Sequence, residues 1–247
     1  MSKVKKIAKK KINIVQQEFD KAVKKHNLIE ENDNILIGLS GGTDSLVLTE
    51  LLSYRKKYFP TKFNLKAVHI NIENIPYKVD SEFLSEFCRE RDIDFEVIHK
   101  KIEIDNKQIT TNPCFICSWN RRKLLFDYSK EHNYNKLALG HHKDDAVETF
   151  LINLIYHGSI SSLPVKLTMF SGRMNLIRPL MYLNKEQILN FADLKNINAK
   201  IKTCQFDAIT NRRKVQRIID VMKEFNPHVE NLIFKSMSNI NEEYLPK

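Results

Sequence analysis

The chain has 247 residues, 42% of them hydrophobic, so it is long enough to bury one sizeable α/β core with an additional segment. No uninterrupted apolar stretch approaches the roughly 20 residues that span a bilayer, and no apolar signal core follows the charged N-terminus, so we expect a soluble, cytoplasmic protein without a membrane partner. Four unevenly spaced cysteines do not indicate a disulfide scaffold. A net charge of +10 indicates a polyanionic partner, although a solvated lysine-rich surface is the alternative.

Strand and helix signals alternate along the chain. Apolar residues at helical spacing predict an N-terminal amphipathic helix that ends near His26. The later expected elements are, in order, strand 34–39, helix 44–57, strand 65–70, helix 79–91, strand 95–98, a loop at 101–113, a helix through 124–128, strand 136–140, helix 144–157, strand 176–180 and helix 184–194. This order predicts a doubly wound, mostly parallel α/β sheet that binds its ligand at the carboxyl ends of the strands.

The most informative segment is Ser40-Gly41-Gly42-Thr43-Asp44-Ser45, which follows an apolar strand and precedes an apolar-periodic helix. Two adjacent glycines let backbone N–H groups close on an anion, and the helix start adds unpaired N–H groups and the positive end of its dipole. The hydroxyls add further donors, so the segment predicts a phosphate or pyrophosphate site. It lacks the Gly-Lys-Ser/Thr of a nucleotide-binding P-loop and the Rossmann fingerprint, and a glycine turn that only caps a helix is the alternative.

Cysteines form a second group of candidate residues. Cys114 and Cys117 are spaced as half a zinc site, a redox pair or a chance pair, and the absence of a second C-x-x-C excludes a Cys₄ zinc ribbon. Cys204 is a candidate third ligand, and three thiolates could hold an iron–sulfur cluster with an open iron or a non-cysteine fourth ligand. Cys88 lies on an apolar helix face and is expected to be a core thiol. If a helix begins near Cys117, Arg121 shares its face and places a cation there, or else it is a solvated surface arginine.

A third group, 140–149, lies where a strand turns into a helix. Asp144 and Asp145 fit two interpretations, as caps of that helix or as carboxylates for Mg²⁺–ATP. His142 or Lys143 could meet phosphate.

Basic residues cluster at both ends of the chain. The clusters are Lys3, Lys5, Lys6, Lys9, Lys10 and Lys11, and Arg212, Arg213, Lys214 and Arg217. ATP alone would need neither cluster, so the clusters favour a further polyanionic partner.

Together these blocks resemble the PP-loop ATP pyrophosphatases and, within them, the tRNA 2-thiocytidine synthetases. The matching segments cover roughly residues 10–240 and are 38–45, 114–122, 139–145, 177–180 and Cys204. Two positions depart from that family, because Thr43 stands where lysine is frequent and Asp207 stands where a second cysteine is frequent. Three candidate cluster cysteines remain.

The resemblance implies an adenine nucleotide alpha hydrolase-like fold with three segments: a basic helical extension at 1–28, a PP-loop ATP-binding domain with the embedded cysteine motif at 29–198, and a C-terminal helical segment at 199–247. It also implies a transferase that adenylates a pyrimidine C2 carbonyl of tRNA, at cytidine 32, and replaces the oxygen by sulfur, with AMP and pyrophosphate as products. The implied cofactors are ATP, Mg²⁺ and a [4Fe-4S] cluster whose open iron carries the incoming sulfur. The implied partners are tRNA and a sulfur donor, either sulfide or a cysteine desulfurase, and a homodimer stays open.

The roles that the resemblance implies are these: Ser40, Gly41, Gly42, Thr43, Asp44, Ser45, His69 and Gly140 for ATP or pyrophosphate; Asp44 and Asp145 for Mg²⁺; Asp44, Asp145 and Arg121 for catalysis; Cys114, Cys117 and Cys204 for the cluster; and Lys5, Lys6, Lys9, Lys10, Arg212, Arg213 and Arg217 for tRNA. Four alternatives stay open. They are thiolation of uridine, thiolation of a small molecule, a cluster-free route through a persulfide on Cys117 or Cys204, and a non-catalytic basic RNA-binding protein.

Overall fold

The computed structural model of the protein describes residues 3–75, 79–102, 113–199 and 211–245. The helices of this part are α1 (Lys3–Lys25), α2 (Thr43–Tyr58), α3 (Ser81–Arg89), α4 (Pro113–Glu131), α5 (Lys143–His157), α6 (Lys185–Leu194), α7 (Asn211–Phe225) and α8 (Val229–Ser236). The strands are β1 (Asp33–Gly38), β2 (Phe63–Ile72), β3 (Asp94–Lys100), β4 (Lys136–Ala138), β5 (Lys166–Met169) and β6 (Met174–Ile177).

The described strands form one sheet in the order β3-β2-β1-β4-β6-β5. Neighbouring strands are parallel except for β5 and β6, which form an antiparallel hairpin. The predicted mostly parallel α/β class is therefore confirmed.

Sequence reasoning missed β5 and extended β6 too far. β5 is an edge strand with an exposed Leu167, so it carries little of the apolar signal that marks a buried strand. β6 ends at Ile177, before Pro179, which has no N–H for a sheet ladder.

Apolar side chains cover both faces of the sheet. In β1, Ile35 and Ile37 join a cluster with α1, α2, α3 and α6, whereas Leu36 joins a second cluster with α4. Successive strand residues point to opposite faces, so one apolar run supplies both clusters. Cys88 belongs to the first cluster and is fully buried, which confirms that it is a core thiol.

The chain divides into two compact units. The first consists of Met1–His142 and Val165–Asp207, and the second of Lys143–Pro164 and Ala208–Lys247. In the second unit, Val147 and Leu151 of α5 pack against Val215 and Ile219 of α7. The sequence-based segments at 1–28, 29–198 and 199–247 stay a prediction.

The N-terminal amphipathic helix was correctly predicted. Val15, Phe19 and Val23 of α1 are buried in the first cluster, and the lysines from Lys5 onward lie on its exposed surface. Of the helices that the structure describes, none is both long enough and apolar enough to cross a membrane.

Candidate nucleotide site

The order of the strands decides where a ligand can approach the sheet. The chain leaves β1 for β2 on one side, whereas β4 pairs with β1 on the other side. In open α/β sheets the carboxyl ends of such a strand pair border a crevice that binds ligands. The 40–45 loop follows β1 and the 139–142 loop follows β4, so both sequence-predicted loops lie at this switch point.

Gly41 gives the first loop its shape. Its φ of +85° lies in the left-handed region, which favours glycine, and a Cβ there would come within 2.6 Å of Val79 Cγ1. Gly42 is the N-cap of α2 and has no side chain with which to cap that helix. An anion at this point therefore meets the positive end of the α2 dipole without a competing cap.

The two serines of the loop hydrogen-bond within it. The Ser40 hydroxyl accepts from the Gly42 N–H at 3.3 Å and donates to Ser45 Oγ at 3.1 Å, and the Ser45 hydroxyl donates to the Gly42 carbonyl at 2.8 Å. In this state the hydroxyls hold the loop closed on itself. Their predicted role as phosphate donors stays a prediction.

Gly140 brings the second loop against the first. A Cβ at Gly140 would lie 3.0 Å from the backbone carbon of Asp44 and 3.0 Å from the nitrogen of Ser45. Backbone atoms cannot rotate away, so this close approach requires glycine. The sequence placed Gly140 at a strand end but gave no sign of this contact.

Asp44 connects the first loop to two other segments of the site. Its carboxylate oxygens accept from Lys185 Nζ at 2.6 and 2.8 Å, and His142 Nε2 lies 3.9 Å from one of them. Lys185 is the first residue of α6, which follows β6 and therefore begins at the same edge of the sheet.

Sequence reasoning missed Lys185. One feature of the sequence could have indicated it. A lysine at the first position of a helix is disfavoured by the helix macrodipole unless an anion lies near it.

His69 lies under the first loop. It is buried in β2, and its Nδ1–H donates to the carbonyl of Leu39 at 2.8 Å. Burial lowers the pKa of this imidazole, the hydrogen bond to the Leu39 carbonyl opposes that shift in part, and the positive charge of Arg121 adds to it. His69 thus supports the backbone that leads into the loop, and its predicted contact with ATP stays a prediction.

The structure describes the cysteine motif in part. The helix α4 begins at Pro113 and not near Cys117, so the expected helix start is wrong by one turn, while Cys117 and Arg121 do lie one turn apart on it. Cys117 is half-buried beside the second apolar cluster. The side chain of Cys114, as well as Cys204 and Asp207, lie outside the described residues, and within the described part no group of three His, Cys, Asp or Glu side chains is placed to hold a metal ion.

Asp145 belongs to the second compact unit. It lies in the first turn of α5, and Arg212 Nη1 of α7 approaches its carboxylate at 3.4 Å. Arg212 Nε also lies 3.9 Å from Glu148. A predicted magnesium ligand is therefore paired with a predicted tRNA contact, a pairing that the sequence did not suggest.

The remaining predicted tRNA contacts are exposed. They are Lys5, Lys6, Lys9 and Lys10 on α1, and Arg213 and Arg217 on α7. Lys6, Lys9 and Lys10 line a shallow cavity of about 410 Å³ on α1. Exposed lysines and arginines of this kind can neutralise the phosphates of a nucleic-acid backbone.

A strand, a two-glycine turn and an uncapped helix start at the switch point of a parallel sheet define a nucleotide-binding α/β protein. A family model described as a PP-loop domain matches residues 11–215, and the chain belongs to this family. The resemblance that the sequence motifs indicated is thereby confirmed.

The similar curated proteins are named as tRNA sulfurtransferases. The tRNA-cytidine(32) 2-sulfurtransferase 1 of Francisella tularensis subsp. tularensis is 33% identical over 224 residues, which cover 89% of this chain and 83% of the relative. The tRNA-cytidine(32) 2-sulfurtransferase of Pseudomonas fluorescens is 30% identical over 230 residues, which cover 92% and 83%. These names, together with the PP-loop family match, confirm the predicted enzyme class, an ATP-dependent tRNA sulfurtransferase.

A solved structure supports the same fold. The U34-tRNA thiolase NcsA from Methanococcus maripaludis, with its [4Fe-4S] cluster, superposes with a TM-score of 0.77 at 25% identity and covers 97% of this chain and 81% of that chain.

Proposed function

We propose that this chain uses ATP to thiolate a pyrimidine of tRNA at C2, with cytidine 32 as the target. The observation that carries the proposal is the 40–45 loop at the switch point, a pyrophosphate cradle in a chain whose curated relatives are named tRNA-cytidine(32) 2-sulfurtransferases.

The first step is adenylation of the base. The C2 carbonyl oxygen attacks the α-phosphorus of ATP, the bond to the β-phosphate breaks, and pyrophosphate leaves. The N–H groups at the start of α2, opened by Gly41 and Gly42, bind the leaving pyrophosphate, whose charge grows in the transition state. Asp44 and Asp145 are the carboxylates that would hold Mg²⁺, and the metal would supply positive charge that neutralises phosphate.

The second step is displacement by sulfur. Sulfide adds to C2 and AMP departs with the former carbonyl oxygen, so no net oxidation or reduction takes place. Cys114, Cys117 and Cys204 are the residues that would hold a [4Fe-4S] cluster, and that cluster would supply a site for the incoming sulfur. Arg121 follows Cys117 by one turn of α4, so it is the cation that we assign to this end of the cysteine motif.

We assign tRNA binding to the exposed basic residues of α1 and α7. The lysines of α1 and the arginines of α7 would neutralise backbone phosphates, which positions the tRNA without reading its sequence. A base must leave its stack before it can reach the adenylate, so a loop nucleotide is the expected target.

One experiment tests the reaction. The protein, reconstituted anaerobically with iron and sulfide, is incubated with ATP, Mg²⁺, sulfide and a tRNA transcript, and nucleosides and nucleotide products are then measured. We expect 2-thiocytidine, AMP and pyrophosphate in equal amounts, and no AMP from Asp44→Ala. If ADP and phosphate are the products, the 40–45 loop does not bind a leaving pyrophosphate as we propose. If the protein binds tRNA but releases no pyrophosphate from ATP, a non-catalytic RNA-binding protein is favoured.

Uridine is the second candidate target. The structural similarity to a U34-tRNA thiolase favours it. In the same assay, transcripts in which cytidine 32 or the wobble uridine is replaced separate the two targets, because only the loss of the true target abolishes thionucleoside formation.

A further inference from the structure

The Lys185–Asp44 pair joins two helix starts at the carboxyl edge of the sheet. Both Asp44 oxygens lie within 2.8 Å of the Lys185 ammonium. Asn184 caps α6 in a reciprocal arrangement with Gln187, at 2.8 and 2.9 Å, which fixes the backbone that carries Lys185. The lysine is thus held at the loop by a defined helix start.

Stability gives little reason for this pair. The side chains of Lys185 and Asp44 are 44% and 30% exposed, and ion pairs that water reaches contribute little to folding. A lysine at the first position of a helix also opposes the dipole of that helix. The pair is therefore better explained by what the site binds.

The charge of the loop points to the ligand. Between Ser40 and Ser45 the sequence contains one charged residue, Asp44, and it is negative. Thr43 offers a hydroxyl without a charge. A triphosphate that enters this loop brings several negative charges, which the α2 dipole alone compensates only in part. P-loop proteins solve the same problem with a lysine inside the loop that reaches the β- and γ-phosphates.

We propose that Lys185 is a pyrophosphate-binding residue of this site, held on Asp44 in the nucleotide-free protein and transferred to the β- and γ-phosphates of ATP when Mg²⁺ takes its place on that carboxylate. The proposal rests on the proposed function, because it assumes that the 40–45 loop binds ATP. It adds a phosphate ligand contributed by a segment 141 residues away from the loop.

The same two helices provide a matched control. At the other end of α6, Lys195 Nζ lies 3.1 Å from Glu50 of α2. This pair also bridges α2 and α6, but it lies well over a helical turn away from the loop. Replacing either lysine by methionine removes one charge and one interhelical pair and retains the apolar stem.

The test is a calorimetric titration of the full chain with inorganic pyrophosphate and with AMP, in the presence and absence of Mg²⁺. We expect Lys185→Met to weaken pyrophosphate binding at least tenfold with Mg²⁺, Lys185→Arg to recover most of that loss, and Lys195→Met to bind as the parent does. AMP affinity should change less than twofold in each variant, because the lysine is assigned to the β- and γ-phosphates. Equal losses in Lys185→Met and Lys195→Met would overturn the proposal, since they would report weakened packing between the helices.

A double variant separates a phosphate ligand from a residue that only positions Asp44. If Lys185 acts through Asp44 alone, the effect of Lys185→Met disappears in an Asp44→Asn background. We expect the opposite, a Lys185→Met loss that persists or grows in that background without Mg²⁺, because the released lysine is free to meet phosphate. A vanished effect overturns the proposal while the proposed function stands, whereas a parent protein that binds neither pyrophosphate nor ATP overturns both.

Discussion

Arg212 and Asp145 form an ion pair in which a guanidinium nitrogen lies 3.4 Å from a carboxylate oxygen. The pair joins the first turn of α5 to α7 within the second compact unit. Arg212 is half exposed and Asp145 is largely buried, so the arginine remains accessible to a polyanion while it compensates the carboxylate. Two residues assigned to different ligands thus share one contact.

This contact predicts opposite effects on tRNA binding. Asp145→Asn removes the nearer of the two carboxylates beside the arginine and should strengthen tRNA binding. It should also slow pyrophosphate release from ATP, because a proposed magnesium ligand is lost. Arg212→Ala should weaken tRNA binding and reduce the magnitude of the salt slope by about 0.9 for one duplex phosphate contact, as measured by filter binding over a salt series.

Lys223→Ala is the control for Arg212, because Lys223 lies on the same helix and pairs with Glu230 at 2.9 Å. Its salt slope should equal that of the parent. An Arg212→Ala slope equal to the parent slope would remove Arg212 from the tRNA surface.

Gly140→Ala should damage the nucleotide site. The added methyl group would press against the backbone of Asp44 and Ser45, and overpacking of this kind costs about 1–3 kcal/mol. We expect a loss of ATP affinity together with a lower free energy of unfolding, measured by titration and by urea denaturation. Gly158→Ala is the control, since Gly158 has a positive φ of 57° but open space around its Cα. It should lower stability and leave ATP affinity unchanged.

The lysines of α1 should set part of the salt dependence of tRNA binding. Replacing Lys5, Lys6, Lys9 and Lys10 together by glutamine should flatten the plot of affinity against salt and leave ATP binding nearly unchanged. The matched control replaces the exposed Lys57, Lys62, Lys101 and Lys130, which removes the same charge elsewhere. Equal slopes for the two quadruple variants would mean that net charge, rather than the α1 surface, determines binding.

Iron content should distinguish the cysteines. Cys114→Ala, Cys117→Ala and Cys204→Ala should each lose the roughly four irons per chain that a [4Fe-4S] cluster supplies, together with its brown colour. Cys88→Ala is the control, because burial raises the pKa of the Cys88 thiol to about 12 and keeps it within the core. It should retain iron and lose some stability. A colourless anaerobic protein with one zinc would refute the cluster.

His69 should make stability depend on pH. Burial lowers the pKa of His69 below its ordinary 6.5 despite the opposing hydrogen bond to Leu39, so the unfolded chain binds this proton more tightly than the folded chain does. The free energy of unfolding should therefore fall as the pH drops through about 6.5, and His69→Gln should reduce this fall. Urea denaturation between about pH 8 and about pH 5.5 measures it. His26, whose pKa burial also lowers, supplies part of the remaining slope. A parent-like slope in His69→Gln would contradict the assignment.

Local patterns were sufficient for most of the fold. Helical spacing of Val15, Phe19 and Val23 predicted α1, and the alternation of strands and helices predicted the parallel sheet. Such signals are local because the backbone repeats every 2 or 3.6 residues. Sequence patterns did not predict the edge strand β5, because its pairing with β6 depends on the neighbouring strand and not on its own side chains.

The sequence by itself determined the family and predicted the phosphate loop, because two glycines between a buried strand and a helix start carry their chemistry in consecutive residues. Only the tertiary structure decided which side chains meet that loop. It placed Lys185 on Asp44, 141 positions away, and Gly140 against the same turn. The strand order brings the carboxyl ends of β1, β4 and β6 to one edge of the sheet. The spacing of charged residues along the chain does not reveal this order, because strands that are neighbours in the sheet are far apart in the sequence.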